Sequence, residues 1–226
     1  MNSQHCITVL RQSHGRRGAT SASLSSPNLQ KHQSGLNKAN LNTKEPDTVS
    51  TPPVGNLSIV FTDIVQSTLL WEKYPVAMKS ALAIHDEVLR TNIQSHQGYE
   101  VKPTGDGFMI AFPTTKSALS WCLHVQKQLL DARWPPEILG SELAKEIRDQ
   151  DGNIIFRGLS VRMSCHWGSP VCRLNDVTGR MDYMGPMVHR AARAIERTDG
   201  GQISASSAFL VELEKERDDC MDDTEL

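Results

Sequence analysis

No stretch of this 226-residue chain approaches the roughly 20 consecutive apolar residues that cross a bilayer, so no transmembrane segment is expected. Paired cysteines are also lacking. The five (Cys6, Cys122, Cys165, Cys172, Cys220) are odd in number and widely spaced, with no CxxC. That excludes a zinc ribbon or a disulfide scaffold and fits a reducing, intracellular and cytoplasmic setting, free or peripheral at a membrane. Residues 1–56 hold no Phe, Trp or Tyr; all twelve aromatics fall between Phe61 and Phe209. Excess charge is missing too: the net charge is -2, and residues 57–210 are neutral, with 16 basic and 16 acidic side chains. A neutral core argues against nucleic acid as a partner. Patterns such as HExxH, GxSxG and the P-loop do not occur.

These gaps divide the chain into three parts. Residues 1–56 (net +4, rich in Ser, Asn and Gln) are expected to be a disordered linker. Its first 44 residues lack acid and include Arg11, Arg16 and Arg17, a composition shared with mitochondrial presequences. Residues 57–210 are one folded domain. Residues 211–226 are an acidic tail of net -6.

Within the domain, Leu57–Thr62 (LSIVFT) predicts a buried strand. Ser67 can cap a helix, and Pro75 starts a longer one through His96. Strands over Tyr99–Lys102 and Gly107–Phe112 flank a four-residue turn, Pro103–Asp106, and predict a hairpin. A helix follows over Thr114–Arg133, with Ala118, Trp121, Cys122, Val125 and Leu129 at core spacing. Residues 134–157 read as an excursion with a short helix and an Asp-Gly turn. Strands over Leu159–Trp167 and Pro170–Leu174, a helix over Pro186–Arg197, a strand over Gln202–Ala205 and a last helix from Ser206 to about Lys215 complete the order. It predicts an α+β fold with a mixed or antiparallel sheet and flanking helices.

Asp63 ends the first strand, and Asp106 sits in the hairpin turn. Two carboxylates brought together there suit Mg²⁺ or Mn²⁺, which prefer carboxylate plus substrate phosphate. Two such ions are the usual device for phosphoryl transfer.

Four segments occur in order: FTDIVQSTLLWE (61–72), EVKPTGDGFM (100–109), RMDYMGPMVHRAAR (180–193) and DGGQIS (199–204). Together they resemble the catalytic domain of class III nucleotidyl cyclases, above all fungal adenylate cyclases, over about Leu57–Phe209. The resemblance implies a ferredoxin-like palm acting as a homodimer with active sites at the interface. It implies ATP as substrate and two Mg²⁺ or Mn²⁺ ions per site, held by Asp63, Asp106 and the Ile64 carbonyl. It assigns Lys102 and Asp182 to the adenine, Arg193 to charge developing on the phosphate, and Arg162 to the polyphosphate. Arg162 also fits a plain strand-end surface arginine. Upstream regulatory domains or G proteins are compatible partners.

The base selection has its own physics. Adenine offers an amino donor where guanine offers a carbonyl. A carboxylate at 182 accepts from the first and is left acceptor against acceptor by the second. Lys102 supplies a donor for a ring nitrogen.

Three departures from the family pattern stand out. His189 replaces an asparagine that orients the ribose and the transition state. The lysine-containing segment that in many relatives contacts the phosphates near the C-terminus is missing, and the tail Glu214–Leu226 offers acid instead. Ser164 and Trp167 replace the usual residues of their strand. The first two motivate an alternative, a catalytically weak or inactive cyclase-fold dimerisation module. His85, His96 and His124 are expected to be solvated or partly buried, and Gly98, Gly105 and Gly107 to serve turn geometry.

Overall fold

The computed structural model describes residues 7–9 and 51–222. Its main sheet has six strands in the order β1-β10-β7-β2-β4-β3. These are β1 (Ile7–Val9), β2 (Leu57–Ile64), β3 (Tyr99–Thr104), β4 (Gly107–Phe112), β7 (Val161–Gly168) and β10 (Ile203–Ala205). Two small hairpins pair β5 (Ile147–Arg148) with β6 (Ile154–Phe156), and β8 (Val171–Leu174) with β9 (Met181–Met184). The helices are α1 (Ser67–Lys73), α2 (Pro75–Ile93), α3 (Thr115–Asp131), α4 (Pro136–Leu139), α5 (Pro186–Ile195) and α6 (Ser207–Asp222). The sheet is mixed: β2 runs antiparallel to β4 and β7, while β7 and β10 are parallel.

The apolar run of β2 is continuous because both of its faces are covered. Side chains alternate across a strand. Val60 and Ile64 join Phe108, Ile110, Phe112 and Met163 against α2, α3 and α6. Leu57, Ile59, Met109 and Ala111 form a second cluster with Tyr183 and, on α5, Met187, Val188 and Ala191. The stripe expected on α3 is buried as read, and Thr114 caps that helix by accepting the Ser117 N–H at 3.0 Å. Cys122 and Cys165 meet in the first cluster as free thiols, sulfur to sulfur 3.7 Å, and burial pushes the Cys122 thiol up.

Several expectations need correction. The β3–β4 hairpin turns on Gly105 and Asp106 alone, because β3 continues through Pro103 to Thr104. Proline is tolerated there: β3 is a sheet edge, where a missing N–H breaks no ladder. Strand β9 was absent from the sequence reading. His85 is fully buried, with Nδ1 3.0 Å from Asp86 and Nε2 without a partner. α6 continues to Asp222 through residues expected as a plain acidic tail. Its Glu216 carboxylate accepts the Thr115 and Lys116 N–H groups at 2.8 and 2.9 Å, capping α3. Within the segment expected as a linker, Ile7–Val9 pairs antiparallel with β10. The remainder of residues 1–50, with the presequence-like composition, lies outside the described residues.

Candidate active site

Asp63 enters the site from the exit end of β2, where Arg162 of β7 is its cross-strand partner. Arg162 is not a free surface side chain. Its Nε and Nη2 lie 2.8 and 2.6 Å from one oxygen, Asp63 Oδ2, and its Nη1 donates to the Thr198 carbonyl at 3.4 Å. A guanidinium holding a carboxylate in this way fixes its rotamer.

Asp106 is delivered to the same corner by the β3–β4 turn. Thr62 Oγ1 accepts the Phe108 N–H at 2.9 Å, tying the hairpin to β2. Gly107 lies so close that a Cβ there would stand 1.8 Å from the Thr62 carbonyl oxygen and 3.1 Å from the Asp63 Cα. The expected turn role of Gly107 is therefore replaced by close strand approach, whereas Gly105 does take the left-handed turn conformation, φ +70°. Asp106 Oδ2 is buried with no hydrogen-bond partner. A buried, unpartnered carboxylate oxygen is costly, and a cation is the usual remedy. Among the described residues no group of three His, Cys, Asp or Glu side chains gathers around a metal position. The donors on offer are the carboxylate pair and nearby backbone, a set that suits Mg²⁺ or Mn²⁺ completed by phosphate and water.

Lys102 and Asp182 meet across β3 and β9. The ammonium lies 2.9 and 3.0 Å from the two carboxylate oxygens. Both side chains line a cleft of ≈ 290 Å³ together with Glu100, Pro103, Asn175 and Arg180. Asp182 Oδ1 also accepts the Tyr183 N–H at 2.9 Å, so the carboxylate is fixed from two sides.

α5 carries the remaining candidates. Pro186 occupies its first turn, as the sequence suggested. Met187, Val188 and Ala191 are buried, so His189 and Arg193 fall on the opposite, exposed face. No side-chain hydrogen bond or ion pair joins either to another described residue. Within one chain the structure thus forms a carboxylate corner (Asp63, Asp106, Arg162) and a cleft (Lys102, Asp182). Arg193 and His189 stand apart from partners on α5. The Ile64 side chain is buried in the core. Ser164 donates to the Ala191 carbonyl at 2.8 Å, and Trp167 packs against the first cluster, so both replacements serve packing.

One cleft residue, Arg180, and the neighbouring Tyr99 escaped the sequence reading. Tyr99 and Arg180 tie β3 to β9, and their signal, an aromatic and an arginine 81 positions apart, is invisible without the pairing of those strands. No helix among the described residues is long and apolar enough to cross a membrane.

Known proteins resemble this chain in sequence and fold. A chain named adenylate cyclase from Neurospora crassa is 53% identical over 164 residues, which span 73% of this chain and 7% of the relative. One from Lachancea kluyveri is 52% identical over 164 residues, 73% of this chain and 9% of the relative. This chain therefore spans less than a tenth of either relative. Among solved structures, an adenylate cyclase from Trypanosoma brucei in its monomeric state superposes with a TM-score of 0.62 at 29% identity, covering 72% of this chain and 78% of that one. The guanylate cyclase domain of Catenaria anguillulae in complex with GTP shares the fold, with a TM-score of 0.55 at 14% identity over 70% of this chain and 82% of that one. The family model of the adenylate and guanylate cyclase catalytic domain matches residues 49–225. With that match over most of its length, the chain belongs to the adenylate and guanylate cyclase catalytic domain family.

Proposed function

We propose that this domain is an adenylate cyclase catalytic domain that converts ATP to 3′,5′-cyclic AMP and pyrophosphate. The observation that carries the reading is the Lys102–Asp182 pair lining one cleft. Asp182 offers an acceptor for the adenine amino group and Lys102 a donor for a ring nitrogen. A guanine carbonyl would face Asp182 acceptor to acceptor, an unpaired contact of the kind that supports strong discrimination. The names of the fungal relatives agree with this choice.

In the reaction the ribose 3′-oxygen attacks the α-phosphorus, its proton leaves, and pyrophosphate departs as the α–β bond breaks. Asp63, Asp106 and the Ile64 carbonyl would hold two Mg²⁺ or Mn²⁺ ions. Bound there, such ions supply the positive charge that acidifies the 3′-hydroxyl and neutralises the triphosphate. Arg162 keeps Asp63 oriented and is placed to approach the polyphosphate. Arg193 meets charge developing on the phosphate, and His189 keeps one N–H donor for the ribose or transition state. Catalysis is then mostly positioning and electrostatics.

A homodimer supports this division of labour. The carboxylate corner of one subunit would face the cleft and the exposed face of α5 of the other, giving Arg193 and His189 the side-chain partners they lack inside one chain. Regulatory domains or G proteins acting on the remainder of a longer protein belong to the same reading, as does an intracellular, cytoplasmic location. The alternative, a fold retained without turnover, draws on His189 and on the missing C-terminal lysine segment. Purified protein incubated with Mn²⁺ and either ATP or GTP decides between them. Cyclic AMP from ATP, with little cyclic GMP, is expected; no cyclic nucleotide from either would favour the inactive module.

A further inference from the structure

The β8–β9 hairpin carries Asp182, yet it shares no backbone ladder with the main sheet. A two-stranded hairpin is marginal in water without outside support. The Lys102–Asp182 pair is a weak source of support. Its side chains are 49% and 25% exposed, and pairs of that kind contribute little. Firmer ties lie beside it, and they converge on Tyr99. The Tyr99 hydroxyl accepts the Met181 N–H at 2.9 Å, one residue before Asp182. The Arg180 guanidinium lies over the Tyr99 ring, 5.1 Å from its centre. The same guanidinium donates to the Glu100 carbonyl. Glu100 sits where the β3–β4 register shifts before Lys102, so Arg180 grips β3 at its bulge. Tyr99 is itself anchored: it is 3% exposed and meets the ring of the buried Tyr183 edge-on at 6.4 Å.

Arg180 therefore bridges the strand that carries Lys102 and the strand that carries Asp182, and it lines their shared cleft. We propose that Tyr99 and Arg180 form a clamp that sets the spacing between Lys102 and Asp182, and so the purine selectivity of the cleft. The inference rests on the reading of that cleft as the adenine site. Both are positioning residues: they act on the base through Lys102 and Asp182. Arginine is required for its planar fork, which lies over the ring and donates along its edge at once; the compact ammonium of a lysine can make either contact but not both together.

The test uses Arg180→Gln, Arg180→Lys and Tyr99→Phe, with Lys102→Ala as reference, in the full chain with Mn²⁺. Each removes a contact worth about a 2- to 10-fold change. Expected for all three clamp variants is a KM for ATP raised roughly 3- to 10-fold, kcat nearly unchanged, and ATP-over-GTP preference reduced in proportion. Faster amide hydrogen exchange across residues 171–184 is expected in the same variants, a readout independent of turnover. If Lys102→Ala shifts the preference while the clamp variants keep normal KM, preference and exchange, the clamp is wrong and the adenine reading stands. If exchange quickens while no variant, Lys102→Ala included, alters the preference, the adenine reading has failed and the selectivity role of the clamp falls with it. Full function in Arg180→Lys would also overturn the proposal, since charge without the fork would then suffice.

Discussion

Asp63 and Arg162 face each other across neighbouring strands, and both guanidinium contacts, at 2.8 and 2.6 Å, fall on the single oxygen Oδ2. Asp106, the second proposed metal ligand, has no such counter-ion, and its own Oδ2 is buried and unpartnered. The two carboxylates should therefore respond differently to the same substitution. Asp63→Asn strips Arg162 of its anion and is expected to cost about 1 kcal/mol of stability. Asp106→Asn relieves an uncompensated carboxylate and is expected to leave stability unchanged or raised. Both should abolish cyclic AMP formation, because a neutral amide is a poorer ligand for a hard dication. Urea unfolding without metal, beside the assay with Mn²⁺, reads both halves; wild-type turnover in Asp106→Asn would rule out the metal assignment.

The shared site predicts complementation. Asp63→Ala and Arg193→Ala should each be inactive alone. Mixed, they should regain up to one working site per heterodimer. Heterodimers formed without any recovered cyclic AMP would show that each chain works with its own α5.

His189 is expected to hold the domain below its capacity. The side chain sits on the exposed face of α5, one turn from Arg193. Loss of a well-placed transition-state donor costs roughly 10²–10³ in rate, and a neutral imidazole recovers part of it with its one N–H. His189→Asn is therefore expected to raise kcat by about tenfold or more. An equal or lower rate would mean that imidazole is fully competent at this position.

A different histidine gives the fold a pH dependence. His166 is buried, and its Nδ1 lies 2.7 Å from the Ser206 hydroxyl. Burial, aided by the charge of Arg190, lowers its pKa. The unfolded chain thus takes up a proton first, near the ordinary value of about 6.5. Stability is complete above that pH and declines as pH falls below it. Urea midpoints for the wild type should fall between pH 7 and 5.5 more steeply than those for His166→Gln. Parallel slopes would remove His166 as the cause.

Much of this was legible in the residues. The β2 run and the α3 stripe follow from period alone, and both are buried as read. Pro186 marked the start of α5. The carboxylate corner was legible because Asp63 lies near the end of a predictable strand and Asp106 in the turn of a predictable hairpin. Contacts that depend on pairing across long separations were hidden. Arg162 lies 99 positions from Asp63, and only the β2–β7 register makes them neighbours. Strand β9 was missed because Met181–Met184 is only four residues long, with one fully buried side chain, too brief for alternation to register. Pro103 masked the last turnward residues of β3, since a proline reads as a stop unless the strand is known to be an edge. Glu216 looked like one acid among many in the tail, and only its place beside the start of α3 distinguishes it.

The contact between Gly107 and β2 gives this domain a way to fail that involves no chemistry. The placing of Asp106 beside Asp63 depends on a gap too narrow for a methyl group. One added carbon at position 107 would act as a wedge, lifting the hairpin and carrying Asp106 away from Asp63 while all the candidate ligands stayed in the sequence. An inventory of catalytic residues would pass such a chain as intact. Competence in this fold is thus written partly in a residue that has no side chain at all.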